Sequence, residues 1–487
     1  MKRIAGNRKY KFFFIGIAFF VGFSAYEVIS QQTKSINRLY KYNVHHDYNY
    51  PFENSEALVF KVPILDNRMQ LPHVNASWDT GFLKIRVKSN WIGILKEPSI
   101  EIASDGLTQR QYFERGADGF RYLNLSNVSP VQGVGGGTII FTMHHLDVTK
   151  QEADLYLFRN DPIGDENILV IAPHPDDAEI AAFGLYSQNN AYIVTITAGD
   201  AGKGYILSKW NYPDDASNSI LKGKLRVWDS ITTPLWGGVS PLHAVNLGYF
   251  NRMLEPMYEN RSKDIPHGTI RTTDISVFRR FNISDLIQNK SQTSNWGNLI
   301  DDLVFILNKT RPKVIVTPHL YLDSNIDHKF STVALFEAIE KSNLKKGKIY
   351  LYNNHHVLSE YYPFGPAHSI MSLPPWFDNS VSFRSIYSLS LSSDKRLEKL
   401  FALDAQHDLR QVPKINDYDL RWLVGNIKYR FLDFYDYYIL HGDYSYLRRA
   451  IRSNELFFVI DFADIDLFEK EYLKEVKQSK KSQHYYN

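Results

Sequence analysis

Three continuous apolar runs in the second part of the chain constrain its fold more than any other feature. They are typical of strands buried on both faces, and they lie at Asn167–Pro173, Ala191–Thr197 and Lys313–Thr317. Apolar residues with helical spacing occur between and after them, at Ala178–Ser187, Leu299–Leu307 and Lys329–Glu340. Because strands that alternate with helices form parallel sheets, the pattern predicts a Rossmann-like, doubly wound and mostly parallel α/β sheet.

The region before these runs has a different periodicity. Lys84, Arg86 and Lys88 alternate with apolar residues, as in a strand with one face in water. Further short strands are predicted at Ile100–Ala103, Tyr112–Glu114, Phe120–Leu125 and Thr138–Met143. The spacing predicts a small β-sandwich over residues 57–160. Such a domain could hold polysaccharide or serve only as a spacer that packs on the rest of the protein.

The amino terminus carries an apolar run directly behind a basic segment. Residues 12–23 are apolar or glycine, no acid occurs before Glu27, and five cations precede the run. This pattern fits a cleaved signal peptide or a retained membrane anchor. We expect a transmembrane helix within residues 1–30 and a linker over 31–56. The basic flank then predicts a single-pass membrane protein with a cytoplasmic amino terminus and a periplasmic or other extracytoplasmic catalytic region.

Composition excludes several classes of protein. The chain has no cysteine, so disulfides, cysteine-ligated zinc and cysteine nucleophiles are excluded. A bound metal would need histidine, aspartate or glutamate ligands. The 56 basic and 53 acidic residues give a net charge of +3, which argues against nucleic acid as a partner.

Polar clusters follow two of the predicted strands. His174, Asp176 and Asp177 come after the first strand, and Asp323 to His328 come after the third. Carboxyl ends of parallel strands meet at one edge of a sheet, so His174, Asp177 and His328 could hold a metal and leave a position for water. Asp176 could then take a proton from that water. Ordinary roles remain open, since a lone histidine is usually structural and Asp327 could cap the following helix.

The segment Ala172–Asp177, with Glu179 nearby, resembles the signature of the LmbE-like, or PIG-L, de-N-acetylases. These zinc-dependent enzymes remove acetyl groups from N-acetylglucosamine-containing glycoconjugates. Weaker matches lie at Thr197–Gly202, at Leu225-Arg226 with Asp229, and at Asp323–His328. The resemblance covers residues 165–410 and implies a Zn²⁺ cofactor, or another divalent metal, in that region.

Carried over by motif, the resemblance makes His174, Asp177 and His328 the metal ligands and Asp176 the general base. It implies that Asn325, where the family often has histidine, helps to stabilise the oxyanion. Contacts with substrate are expected from Arg226, Asn251, Asp323 and His368. Arg226 could instead pair with Asp229 on the helix surface.

Three histidines in an aromatic loop, His355, His356 and His368, could supply the acid that Asn325 cannot. We select His368, although ordinary surface or structural roles remain open for all three. Residues 411–487 are interpreted as a helical, aromatic carboxyl-terminal extension that contributes packing or sugar contacts.

Together these features predict a membrane-anchored, zinc-dependent deacetylase. Its substrate would be the N-acetyl group of N-acetylglucosamine-type sugars in an envelope or exported polysaccharide or glycoconjugate. Two alternatives remain open: a catalytically silent glycan-binding protein on the same fold, and a metal hydrolase of another acyl amide.

Overall fold

The computed structural model describes residues 40–74, 77–127, 137–202, 214–287, 292–409 and 446–483 of the 487-residue chain. Within these ranges the strands are β1 (Leu58–Pro63), β2 (Arg68–Gln70), β3 (Thr80–Ser89), β4 (Ser99–Ser104), β5 (Leu107–Tyr112), β6 (Asp118–Asn124), β7 (Thr138–His144), β8 (Leu146–Val148), β9 (Glu152–Phe158), β10 (Asn167–Ala172), β11 (Asn190–Thr197), β12 (Ala244–Tyr249), β13 (Val314–Pro318), β14 (Lys348–Tyr352), β15 (Ser385–Ser390) and β16 (Asn454–Asp461). The α-helices are α1 (Trp91–Leu95), α2 (Asp177–Tyr186), α3 (Asp215–Thr232), α4 (Leu254–Glu259), α5 (Ser276–Arg279), α6 (Trp296–Thr310), α7 (Ile326–Lys341), α8 (Ser393–Ala405), α9 (Tyr446–Ala450) and α10 (Ile465–Gln483). The chain is therefore a mixed α/β protein with several sheets.

Two antiparallel sheets lie in the amino-terminal part. One has five strands, with the order β1-β9-β3-β6 and β8 paired to β3, and the other has four, in the order β2-β7-β4-β5. Ile85 of the first sheet and Ile102 of the second belong to one buried apolar cluster. The alternation seen in the sequence arises because Ile85 and its alternate neighbours on β3 face this cluster.

The third sheet has seven strands in the order β12-β11-β10-β13-β14-β16-β15. The strands from β12 to β14 pair in parallel, whereas β16 pairs antiparallel to both β14 and β15. The predicted buried strands coincide with β10, β11 and β13. Their continuous apolar sequences reflect burial on both faces of the sheet.

The described part of the carboxyl-terminal region is helical at α9 and α10, but the expected helix at residues 454–462 is wrong. Residues 454–461 form β16, an interior strand of the third sheet, rather than a helix. The strand is buried along nearly its whole length, and a short apolar run of this kind has no period that distinguishes strand from helix. Residues 411–445 of the predicted extension lie outside the described residues, and the domain boundaries stay a prediction.

The structure contradicts the predicted single-pass membrane protein. Across the described part of the chain, no helix combines the length and the apolar character that crossing a membrane requires. The expected anchor within residues 1–30 itself lies outside the described residues, as do residues 31–39 of the linker.

The first sheet and the third sheet share a core. Tyr50 stacks on Phe458 of β16, with ring centroids 5.9 Å apart and planes at 20°. The Asn124 side chain donates hydrogen bonds to the Met371 carbonyl and the Ser388 hydroxyl. The amino-terminal sheets therefore brace the side of the third sheet that carries β15 and β16.

Candidate metal centre

The candidate metal centre lies where the strand order of the third sheet reverses. Strand β10 pairs with β11 on one side and with β13 on the other, so the chain winds away from this point in both directions. His174 follows the end of β10, and His328 lies in the first turn of α7, which follows β13. Open α/β sheets bind ligands in the crevice at such a reversal, beyond the carboxyl ends of the strands.

Three side-chain atoms of this crevice lie close together. His174 Nδ1 is 3.2 Å from His328 Nε2 and 3.3 Å from Asp177 Oδ2, and His328 Nε2 is 3.1 Å from the same oxygen. A tetrahedral ion with bonds of about 2.0–2.1 Å separates its ligands by roughly 3.3 Å. The spacing of the three atoms therefore fits one shared metal ion, and all three residues are buried.

Outer carboxylates orient both imidazoles. His328 Nδ1 lies 3.0 Å from Asp323 Oδ2, and His174 Nε2 lies 3.3 Å from Asp327 Oδ2. A carboxylate accepts hydrogen bonds, so each of these nitrogens carries the hydrogen and the other nitrogen of each ring faces the centre as a lone pair. A cation between them stabilises two lone pairs and a carboxylate oxygen that lie this close together. The donor set thus fits a divalent metal.

Asp177 is held in place from both of its oxygens. Oδ2 accepts a hydrogen bond from the His174 backbone N–H, and Oδ1 accepts one from Asn354 Nδ2 at 2.8 Å. Burial alone would raise the pKa of Asp177, but the imidazoles of His328 and His174 hold it well below its usual range. The Asp177 carboxylate is therefore ionised and held in a fixed position, as a metal ligand must be.

The same charges act on His328. Burial alone would lower its pKa, yet the carboxylates of Asp177 and Asp323 raise it well above the ordinary value. The surroundings of this imidazole are therefore built to hold positive charge. A bound divalent metal would supply such a charge.

Asp176 lies beside the three candidate ligands, but its carboxylate contacts other residues. Its backbone has φ = 119°, a conformation that costs a non-glycine residue free energy and recurs at functional sites. Asp176 Oδ2 is 3.1 Å from Arg226 Nη2. Burial raises the pKa of Asp176 to about 6, against the opposing effect of Arg226. The carboxyl group is therefore placed and tuned to exchange protons near neutral pH.

Arg226 lies behind Asp176 and is 7% exposed. Its guanidinium donates to the carbonyls of Pro175 and Gly199 as well as pairing with Asp176. A Cβ on Gly199 would come within 2.6 Å of Arg226 Nη1, so a residue without a side chain is needed there. Asp229 bonds instead to His407, whose Nδ1 lies 2.6 Å away. These contacts favour a role for Arg226 in holding Asp176 over the predicted contact with sugar.

Asn325 is the N-cap of α7. Its Oδ1 accepts the Asp327 backbone N–H at 3.0 Å, and the helix begins at Ile326. Asp327, considered from the sequence as a cap, instead accepts hydrogen bonds from His174 and from the Arg252 backbone N–H. The predicted catalytic role of Asn325 therefore depends on its remaining Nδ2 donor.

Asp323 is fully buried and engaged by the protein itself. Besides His328, its oxygens accept the backbone N–H groups of Asn325, Asn354 and His355. Burial would raise its pKa, but His328 holds it below the usual value. With no exposed surface, Asp323 is placed to orient His328 rather than to meet substrate, which corrects the sequence-based expectation.

Asn251 lies on the loop after β12, where the next residue, Arg252, donates its backbone N–H to Asp327. The Asn251 backbone N–H donates to Asp200 Oδ1, while Asp200 Oδ2 lies 2.5 Å from His267 Nε2. His267 Nδ1 accepts two backbone N–H groups, so Nε2 carries the hydrogen that Asp200 receives. The sequence interpretation missed His267, which no motif links to this loop.

His368 is not brought to the metal centre. Its side chain is exposed, and its backbone N–H donates to the Ile451 carbonyl. His355 lies where His368 was expected, because the ring centroid of His355 is 5.2 Å from that of His328. The sequence named His355 as an alternative but contained no signal that ranked it first.

Sequence comparisons identify no relative: no family model matches the chain, and no curated protein matches it. Solved structures similar to the chain include the zinc-inhibited form of teicoplanin deacetylase Orf2, at 16% identity and a TM-score of 0.31, covering 61% of this chain and 98% of that one. The A40926 pseudoaglycone deacetylase Dbv21 is 15% identical with a TM-score of 0.31, covering 60% and 96%. The 4-carboxy-2-hydroxymuconate hydratase GalB from Pseudomonas putida KT2440 is 11% identical with a TM-score of 0.30, covering 61% and 96%.

Proposed function

We propose that the protein is a zinc-dependent deacetylase that hydrolyses the N-acetyl group of an N-acetylglucosamine-type sugar in a glycan or glycoconjugate. The observation that carries the proposal is the spacing of 3.1–3.3 Å among His174 Nδ1, Asp177 Oδ2 and His328 Nε2. Two imidazoles and one carboxylate are a ligand set that catalytic zinc uses, with a further position left for water or substrate. The strand order and the parallel pairing around β10 support the Rossmann-like interpretation of the sheet.

The chain's own residues would hold zinc and manage the proton. His174, Asp177 and His328 would bind the ion, which when present polarises an amide carbonyl and lowers the pKa of a water molecule. Asp176 would accept the proton of the attacking water and later return it to the departing amine. Its pKa of about 6 suits both directions of transfer at neutral pH.

Two further groups support this chemistry. The ion pair with Arg226 fixes the Asp176 carboxylate beside the centre and favours its ionised form. Asn325, at the start of α7, would donate its Nδ2 hydrogen to the oxyanion that develops from the acetyl carbonyl.

We propose Asn251, on the loop after β12, as a substrate contact at the same edge of the sheet.

The test is release of acetate from N-acetylated oligosaccharides by the purified full-length protein, with and without chelator. We expect wild type to release acetate, chelation to stop it, and Asp176→Ala to lower kcat by about 10²–10⁴-fold while zinc content is kept. A Phe401→Ala variant, altered on the exposed surface of α8, is the control and should retain activity.

The same experiment separates the alternatives. Binding of the oligosaccharide without acetate release would establish a glycan-binding protein and contradict the proposed catalysis. Activity toward other acyl amides in the absence of activity toward N-acetyl sugars would keep the hydrolase and replace its substrate.

A further inference from the structure

The segment 446–452 reaches the candidate metal centre from a part of the chain that no motif connects with it. Tyr446 begins α9, and its ring centroid lies 6.1 Å from that of His355. The ring of His355 in turn lies 5.2 Å from that of His328. Three adjacent rings therefore lead from a candidate ligand to Tyr446.

The charges that act on Tyr446 agree with a position near the candidate metal centre. Burial raises the pKa of the Tyr446 hydroxyl, and the negative charges of Asp176 and Asp177 raise it further. The surroundings of the phenol are therefore negatively charged, which agrees with its position next to His355. Tyr446 thus lies next to His355, whose ring adjoins the candidate ligand His328.

The segment that carries Tyr446 is firmly anchored. Arg448 and Arg452 are each 1% exposed, and both guanidinium groups point into the loop at 361–366. They donate hydrogen bonds to the carbonyls of Tyr361, Pro363, Phe364, Gly365 and Pro366. A side chain that contacts ligand is most effective when its support is rigid, and this segment meets that condition.

A second set of contacts ties the segment to the loop before His328. Glu360 lies 3.3 Å from Arg449 Nη1 and 3.4 Å from His355 Nδ1, and it accepts a hydrogen bond from Ser324 Oγ. Ser324 lies four residues before His328 on the same loop and helix start. The position of Tyr446 is therefore coupled to the position of the centre itself.

Only part of the Tyr446 ring is covered by these neighbours. The Arg449 guanidinium lies over the ring at 4.4 Å from its centroid, and His355 meets it at 82°. Tyr446 nevertheless keeps 36% of its surface exposed. An exposed aromatic face at the edge of a binding crevice suits the apolar C–H face of a pyranose ring, which buries area against it without needing hydrogen bonds.

We propose that Tyr446 is a specificity-determining residue whose open face stacks against a sugar ring of the substrate. The stacked ring would be the one that carries the acetamide or its neighbour in the glycan. This inference takes the chemical class of the substrate, an N-acetylated sugar, from the proposed function and rests on it. It adds that residues 446–452 belong to the sugar site.

The test is binding of tri-N-acetylchitotriose to zinc-loaded full-length protein, measured by titration calorimetry. An Asp176→Ala background prevents turnover during the measurement. In that background we expect Tyr446→Ala to raise Kd by on the order of 10-fold, and Tyr446→Phe, which keeps the ring, to change it less than twofold. Phe401→Ala, which removes another exposed aromatic ring, should leave Kd unchanged. Zinc content equal to that of the parent shows that each variant keeps its fold at the site.

The outcomes distinguish this inference from the proposed function. A parent that binds the trisaccharide, together with an unchanged Kd in Tyr446→Ala, would overturn the stacking role alone. Equal losses in Tyr446→Phe and Tyr446→Ala would assign the effect to the hydroxyl and would also overturn it. A parent that does not bind the trisaccharide would refute the proposed substrate class and the stacking role together.

Discussion

His174 Nδ1 and His328 Nε2 lie 3.2 Å apart although 154 positions of sequence separate the two residues. Each imidazole uses its other nitrogen to donate to a buried carboxylate, so in the neutral imidazoles the two nitrogens that face each other carry lone pairs. Two lone pairs at this distance repel unless a cation lies between them. The pair therefore defines a position for a metal ion, and the following predictions test it and the fold that maintains it.

Removal of one ligand should abolish tight metal binding. We expect His174→Ala to lower zinc affinity by more than about 10-fold, because two donors hold the ion less well than three. Zinc is measured by elemental analysis after dialysis of the full-length protein. His243→Ala, a replacement of an imidazole that stacks on Tyr192 away from the centre, is the control and should retain the metal. Stoichiometric zinc in His174→Ala would remove His174 from the ligand set.

The outer carboxylate of His328 should matter nearly as much. We expect Asp323→Asn to weaken zinc binding by about 10–100-fold, because it removes the charge that orients the imidazole and raises its basicity. A competition titration with a chromophoric chelator measures the effect. Asp378→Asn, in an exposed turn where the carboxylate accepts the Ser380 N–H, should not change the affinity. Equal affinities in Asp323→Asn and wild type would refute the orienting role.

His319 should make the fold sensitive to acid. Burial lowers the pKa of His319 from 6.5 to about 3, and its Nδ1 accepts the backbone N–H groups of Tyr321 and Leu322. Between these two pH values the unfolded chain binds a proton that the folded chain does not. The free energy of unfolding should therefore fall as the pH is lowered from about 6.5 toward 3.

A His319→Asn variant isolates this contribution, since the amide oxygen can accept the same N–H groups without titrating. Denaturant unfolding at several pH values should show a weaker pH dependence for the variant than for wild type. The variant should also be less stable at pH 8, by about 1–3 kcal/mol, because the packed ring is lost. Parallel pH profiles of the two proteins would contradict this account.

A buried ion pair should be critical for the stability of the third sheet. Lys399 Nζ lies 2.8 Å from Glu455 Oε1, both side chains are 1% exposed, and Glu455 also accepts the N–H groups of Gly184 and Leu185. Lys399→Met would leave the carboxylate buried without its counter-ion, so we expect a loss of about 3–5 kcal/mol in the free energy of unfolding.

The matched control lies on the same helix. Lys395 pairs with Glu398 at the surface, and Lys395→Met should change stability by less than about 0.5 kcal/mol. Thermal and denaturant unfolding measure both variants. Similar small effects at the two positions would show that Glu455 is adequately solvated or paired without Lys399.

Several features of the site were predictable because their signals are local in sequence. The strands β10, β11 and β13 are continuous apolar runs, and the cluster His174 to Asp177 follows the first of them within a few residues. Parallel pairing then requires the ends of β10 and β13 to lie at one edge, which brings His328 to the same place. Helix α7 was likewise predictable, but not that Asn325 would cap it.

Only the tertiary structure decided what surrounds these residues, because burial and long-range pairing leave no local pattern. Arg226 became a partner of Asp176, and Asn354 a partner of Asp177, through contacts between segments that are distant along the chain. Strand β16 is a strand because β14 and β15 supply its hydrogen bonds. By itself the sequence therefore determined the ligand types and the sheet that carries them. The packing of distant segments decided the charges, the orientation and the walls of the site, since each depends on neighbours that are remote along the chain.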